Sequence, residues 1–340
     1  MAAPSSSLIL RLVSASVAIS KRAGVIIRDV LSENRLAIVE KGLNDLQTEA
    51  DRSAQRCIVA SLHKQFPKIA IFGEEDSDNL PSGMKTGLSS GEPDQTLDPD
   101  PNPEFIVTDF DQDVLKESCP DDLADVKDED VVVWVDPLDG TSEYTQGLLD
   151  HVTVLIGIAV KGVAKAGVIY QPYYGFSKDN PGQVKPRCIW GVIGLGAFKD
   201  LGEGSFGYTP GQPPKDQKII ATTRSHSTPE VVDAYTACSP TEVIKVGGAG
   251  HKVLLLLEGV AHAYVFGSPG CKKWDTCAPE AVLHAVGGRL TDVHGNLYKY
   301  FSHVKRRNTG GVLATLDGGE HPDYVKLIPD SVKAALPTDG

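Results

Sequence analysis

The chain has 340 residues, 41% hydrophobic and 23% charged, enough for one large or two moderate domains around sizeable cores, and no segment reads as a membrane span. A formal charge of −12 argues against a nucleic-acid polymer held on a broad basic surface. That charge is local: residues 74–130 hold 19 acids against three lysines, so the remainder, with 26 acids and 30 bases, is mildly basic and can receive a small anion.

Residues 8–13 imitate a secretory leader, but Arg11 interrupts them and apolar residues continue at helical spacing through Leu12, Ala15, Ile19, Ala23, Ile26 and Val30. An amphipathic first helix is expected. The six cysteines are scattered without a C-x-x-C pair, and there is no N-x-S/T site, which fits free thiols in a reducing, cytoplasmic setting. A second helix opens at Thr48-Glu49-Ala50-Asp51, with the stripe Ala50, Ala54, Ile58, Leu62, Phe66 ended by Pro67. Asp51 stands beside that stripe. Lys68–Phe72 reads as a strand ending at Gly73-Glu74-Glu75, and alternation predicts that one of the two glutamates faces a site and the other solvent.

From Asp76 to about Pro103 periodicity disappears and five prolines gather with Ser, Gly and Asp, the composition of a mobile surface loop. Within it, Asp98 to Asn102 has Pro103 where a calcium loop needs glycine, so no calcium site is expected. A short helix over Phe105–Glu117 follows. Then Val131–Val135, a continuous apolar strand, runs into Asp136-Pro137-Leu138-Asp139-Gly140-Thr141. Two carboxylates about 4 Å apart repel by roughly 4 kcal/mol near a protein surface, a cost that a cation removes. Asp-Pro and Asp-Gly also mark ordinary turns, so the run alone supports either reading.

Val152–Val160 and Val163–Tyr170, joined at Lys161-Gly162, form an expected hairpin. A Gly/Pro-rich passage beyond Pro172 suggests a boundary. The second half alternates strand and helix: Lys218–Thr222, Pro229–Cys238, Glu242–Val246, His251–Glu258, Ala261–Phe266, a helix from about Thr276 to Val286, and a strand Arg289–Val293. The expected fold is α/β (α+β), with domains at 1–175, which includes the insertion, and 176–340.

Three further segments can carry chemistry. Gly247 to Lys252 opens a helix after a strand, so its amides can hold a phosphate or simply make a tight turn. Thr222 to Ser227 links a strand to a helix capped by Ser227 or Thr228, and adds Arg224 and His226. Trp274-Asp275-Thr276-Cys277-Ala278-Pro279 is ordinary helix-start grammar that also places an acid at a helix N-terminus.

Glu74-Glu75, the Asp136 to Thr141 run and Trp274-Asp275-x-x-Ala278-Pro279, in that order, resemble the signature of the lithium-sensitive, Mg²⁺-dependent phosphatases related to inositol monophosphatase. The stretches 45–51, 223–226, 246–250 and 268–274 extend the resemblance, towards the nucleotide-directed branch of that family, over nearly the whole chain. The departures are the 76–103 insertion, extra residues around 175–187 and 202–211, and Ser142 where many relatives carry lysine.

The resemblance implies a layered α-β-α-β-α sandwich and a phosphomonoesterase that takes the 3′-phosphate from adenosine 3′,5′-bisphosphate. It assigns Glu74, Asp136, Leu138 (through its carbonyl), Asp139 and Asp275 to two Mg²⁺ ions, with a third, weaker ion near Glu74 or Glu75. Asp51 and Thr141 are the implied general-base pair, and Gly140 and Thr141 amides grip the transferring phosphate. Thr223, His226, Gly248 and Lys252 meet the nucleotide, with Arg224 and Lys272-Lys273 adding charge. Inhibition by Li⁺, a small-molecule partner only, and a monomer complete the expectation. The rivals are an inositol 1,4-bisphosphate phosphatase, a non-catalytic Mg²⁺ or nucleotide sensor, and a scaffold.

Overall fold

The computed structural model describes residues 6–42, 45–75, 105–177, 179 and 184–338. The expected 76–103 loop therefore lies outside the described residues. The chain opens with α1 (Leu8–Ser32), the hairpin β1 (Val39–Gly42) and β2 (Asp45–Gln47), and α2 (Glu49–Gln65). Every position of both expected apolar stripes is buried. Residues 105–117 supply only a 3-10 turn at Val114–Lys116 instead of a helix.

A seven-stranded sheet follows in chain order: β3 (Ala70–Gly73), β4 (Val131–Asp139), β5 (Thr153–Val160), β6 (Val163–Tyr174), β7 (Lys185–Val192), β8 (Gly196–Asp200) and β9 (Ser205–Gly207), with a short helix α3 (Thr141–Thr145) after β4. The β5–β6 hairpin turns on Lys161 and Gly162, both at positive φ (50° and 77°), as a type I′ turn requires. This sheet runs on past residue 175 to Gly207. A five-stranded sheet is built from β10 (Ile219–Thr223), β11 (Glu242–Val246), β12 (Ala263–Phe266), β13 (Arg289–Thr291) and β14 (Val312–Thr315), in the order β11-β10-β12-β14-β13. Its helices are α4 (Pro229–Ala237), α5 (Ala249–Leu257), α6 (Lys273–Ala285), α7 (His321–Leu327) and α8 (Asp330–Ala335).

Strand parity sets the layers. Val131, Val133 and Val135 of β4 join the core under α1 and α2, while Val132 and Trp134 join the core formed with α5, α6 and the second sheet. Helices α4, α7 and α8 cover the far face of the second sheet. The result is the α-β-α-β-α sandwich.

Helix α6 lies unusually close to the first sheet because three glycines sit side by side beneath it. Gly157, Gly167 and Gly191 are cross-strand partners on β5, β6 and β7. A Cβ on Gly157 would stand 2.6 Å from Ala278 N, one on Gly167 2.5 Å from Ala278 O, and one on Gly191 3.2 Å from Val282 Cα. The helix backbone thus rests almost on the strand backbones. Among the described residues no helix is long and apolar enough to cross a membrane, and all six cysteines are free.

Candidate active site

The parity that sends Val132 and Trp134 towards α6 also sends Asp136 there. Strand β3 pairs parallel with β4, with Gly73 opposite Val135, and the Glu74 N–H donates to the Val135 carbonyl at 3.1 Å. Glu74 is thereby delivered beside Asp136. Between Asp136 and Asp139 the β4–β5 register shifts, so Pro137 and Leu138 bulge out of the ladder and Asp139 resumes pairing opposite Thr153. The Leu138 N–H donates to Asp136 Oδ1 at 3.0 Å.

Helix α6 begins at Lys273, three residues before the expected start, because Asp275 serves as its third residue and not as its cap. Asp275 Oδ2 accepts the Lys272 N–H at 2.7 Å, which directs the carboxylate to the helix entrance. There it meets β4, where Asp136 is crowded by Glu74, Asp139 and Asp275. Buried carboxylates crowded in this way repel, and either a proton or a cation relieves that repulsion. Burial, then Glu74, Asp139 and Asp275, raise Asp136 well above its ordinary pKa; burial likewise lifts Asp275 to about 7 and, against Thr153 and Lys252, raises Asp139. Glu74 goes the other way: Lys41 and Lys272 outweigh its burial and lower it.

Glu75 departs from expectation. Its side chain is 3% exposed, because Lys41 from β1 donates to it at 2.8 and 3.0 Å and Gln47 from β2 adds a further bond. Both glutamates therefore face inward. Lys41 also stands 3.5 Å, and Lys272 3.6 Å, from Glu74 Oε1. With ammonium groups and protons balancing the acids, no group of three or more His, Cys, Asp or Glu among the described residues stands ready-made around a metal position. A divalent cation fits this acid set, because it would relieve the repulsion that burial and crowding impose on Asp136, Asp139 and Asp275.

Beside the acids lies a hydrogen-bonded pair from distant elements. Thr48 caps α2, and Asp51, its third residue, accepts the Thr48 N–H at 2.7 Å and the Thr48 hydroxyl. The other carboxylate oxygen accepts the Thr141 hydroxyl at 2.8 Å, while Leu138 O lies 3.1 Å from the same hydroxyl as a second acceptor. Asp51 has no exposure to solvent, and burial, partly opposed by Thr48 and Thr141, pushes it up to about 6. Gly140, at φ 90°, makes the sharp turn that starts α3 with Thr141.

One pocket joins these groups: Glu74, Asp139, Thr141 and Asp275 line it together with Thr223, His226, Gly248 and Lys252. The Gly247–Gly250 turn is partly committed. The Ala249 and Gly250 amides each donate to Asp139 at 2.8 Å, so the N-terminus of α5 holds a carboxylate, and these two amides are not free for a phosphate. Lys252 is buried, donates to Gly248 O at 2.8 Å, and is lowered by burial against the pull of Asp139. Arg224 turns from the pocket to Glu143 Oε1 (3.1 Å) and Gln146 Oε1 (2.8 Å). Lys273 is buried over Tyr298, so of the 272–273 pair only Lys272 faces the acids. Thr228, not Ser227, caps α4.

Sequence reasoning missed Lys41, Gln47 and Glu143. No local signal marks the first two, whose partner is about thirty residues away; Glu143 is two residues beyond Thr141 in the same short helix and is the more accessible.

A family model described as the inositol monophosphatase family matches residues 10–333. The chain belongs to the inositol monophosphatase family. It is 51% identical over 335 residues to the human protein named 3′(2′),5′-bisphosphate nucleotidase 1, covering 98% of this chain and 99% of that one. The Dictyostelium discoideum protein of the same name is 34% identical over 94% of this chain and 96% of its own. Among solved structures, CysQ from Bacteroides thetaiotaomicron, a bacterial member of the inositol monophosphatase family, superposes with a TM-score of 0.61 at 23% identity, covering 91% of this chain and 98% of that one.

Proposed function

We propose that the chain is a Mg²⁺-dependent phosphomonoesterase that removes the 3′-phosphate of adenosine 3′,5′-bisphosphate, giving AMP and phosphate. The observation that carries this reading is the buried Asp51–Thr141 pair, 2.8 Å apart, beside a pocket lined by Glu74, Asp139 and Asp275, the three acids that crowd Asp136. The names of the relatives at 51% and 34% identity support the choice of nucleotide.

Glu74, Asp136, the Leu138 carbonyl, Asp139 and Asp275 would hold two Mg²⁺, with a weaker third beside Glu74 or Glu75. When bound, the ions supply charge neutralisation of the phosphate, acidification of a water and stabilisation of the leaving ribose oxygen. Thr141 accepts a proton from the attacking water as its own hydroxyl proton passes to Asp51, so the base is the carboxylate and the hydroxyl is its reach. Asp51 is held in the acceptor orientation by the two bonds from Thr48. The Gly140 and Thr141 amides face the transferring group, and Thr223, His226, Gly248 and Lys252 orient the nucleoside. No covalent phosphoenzyme is required, because the Thr141 hydroxyl is already committed to Asp51.

Phosphate release from adenosine 3′,5′-bisphosphate, with and without Mg²⁺ and Li⁺, tests the proposal. Release that needs Mg²⁺ and falls with Li⁺ is expected, and AMP binding without release under saturating Mg²⁺ would support a sensor instead. Initial rates on inositol 1,4-bisphosphate, run in parallel, decide between the two substrate classes.

A further inference from the structure

The connection between β13 and β14, residues 292–311, reaches back across the molecule and touches two of the elements that deliver acids to the site, β4 and α6. Towards β4, the Trp134 indole donates to the Tyr300 carbonyl at 3.2 Å, and Trp134 is two residues before Asp136. The Tyr300 N–H anchors to Gly162 O at 2.9 Å in the β5–β6 turn. Towards α6, the Tyr300 hydroxyl donates to Glu280 Oε2 at 2.6 Å and lies 3.1 Å from Thr276 Oγ1. The Asn308 amide donates to Lys272 O and to Thr276 Oγ1, each at 3.0 Å. Backbone bonds from Lys273 N to Arg306 O (2.7 Å) and from Asn308 N to Cys271 O (2.8 Å) complete the clasp.

Tyr300 and Asn308 have no exposure to solvent, and neither lines the pocket. Burying a hydroxyl and a carboxamide is costly, the more so because Asn308 Oδ1 has no hydrogen-bond partner among the described residues, so an apolar filler would hold the same volume with less demand on geometry. What polar groups add is direction. Here they fix Lys272, whose N–H holds Asp275 Oδ2, relative to the strand that carries Asp136. We propose that Tyr300 and Asn308 are positioning residues that set the Asp136–Asp275 separation and so the site's affinity for divalent metal. The proposal rests on the metal-dependent reading above.

The test uses the full chain with Tyr300→Phe and Asn308→Ala. Mn²⁺ binding is followed by electron paramagnetic resonance, alongside metal-free melting and the Mg²⁺ dependence of turnover. Orienting partners of metal ligands typically govern affinity by 10–100-fold, so a rise of about tenfold in the Mn²⁺ dissociation constant is expected, with kcat restored at saturating metal and the nucleotide KM unchanged. Lower melting temperatures with wild-type Mn²⁺ affinity in both variants would overturn the positioning role. Should Asn308→Ala fail to fold, Tyr300→Phe decides alone, because it keeps the ring and removes one hydroxyl. Wild-type protein that binds no Mn²⁺ would instead overturn the metal reading, and this proposal with it.

Discussion

Replacing Asp51 with Asn separates the activity of the site from its cost. The Asp51 carboxylate is buried, and its rise from 3.8 to about 6 corresponds to roughly 3 kcal/mol against the ionised form. The raised folded value means that this stability is present below pH 4 and is lost as pH climbs through 6. At pH 8 the metal-free wild type therefore carries the whole penalty. An Asn side chain carries none of it and keeps its acceptor for Thr48, while the Thr141 hydroxyl, already 3.1 Å from Leu138 O, can donate there and accept from the new amide. The variant is expected to melt above wild type at pH 8 in chelator, with the difference vanishing near pH 4. Turnover should fall by about 10²–10⁴, the usual worth of a general base. Urea unfolding at the two pH values and phosphate release at pH 8 measure these quantities. A variant with near-normal turnover, or one less stable than wild type at pH 8, would refute the reasoning.

Asp136→Asn removes the most heavily crowded acid, so the metal-free protein should be at least as stable as wild type while the melting shift produced by Mg²⁺ disappears; a wild-type shift would show that Asp136 holds no metal. Gly247→Ala puts a Cβ 1.9 Å from Glu143 Cδ and must break the Glu143–Arg224 pair that ties the 223–226 loop to α3. Losing one charge-assisted bond of about 1.5 kcal/mol predicts a roughly tenfold higher nucleotide KM at similar kcat, and an unchanged KM would show that the pair does not position the loop. Gly157→Ala drives a methyl to 2.6 Å from the α6 backbone, which cannot rotate away, so urea unfolding should show about 1–3 kcal/mol of lost stability; a neutral result would mean that the helix stands off the sheet.

What the sequence makes legible are features that depend on neighbours in the chain. The stripes of α1 and α2, the Lys161-Gly162 turn and the strand-helix alternation from Ile219 onward are all local patterns, and each becomes the expected element. Strands β7 to β9 escaped because Gly191, Gly194 and Gly196 dilute their alternation, although Gly191 is there to admit α6. The start of α6 was placed late because Thr276 to Pro279 imitates a cap, while the real first turn uses Asp275 as its third residue. Glu75 was misjudged for a tertiary reason: alternation assumes that the second face is solvent, and Lys41 supplies a partner there instead. The Asp51–Thr141 pair spans 90 residues and has no spacing signal at all; only family resemblance pointed to it.

The charges around the pocket carry a further consequence. Six carboxyls, Asp51, Glu74, Glu75, Asp136, Asp139 and Asp275, face three ammonium groups, Lys41, Lys252 and Lys272, leaving three negative charges if all are ionised. Two divalent ions would turn that −3 into +1, and a phosphate dianion would bring it to −1. Metal without phosphate leaves an excess of positive charge, and phosphate without metal adds to an excess of negative charge, so each should bind better after the other. Such coupling is reciprocal and commonly worth 1–3 kcal/mol, or about 5–150-fold. Titrating Mn²⁺ calorimetrically with and without saturating inorganic phosphate should therefore show a dissociation constant at least about fivefold lower in its presence. Glu75→Gln removes one negative charge from every state of the pocket alike and leaves the other five acids in place, so it is expected to preserve the coupling. Equal Mn²⁺ affinities in the two titrations would mean that lysines and protons balance the acids by themselves, and the pocket would then have no electrostatic need for metal during phosphate binding.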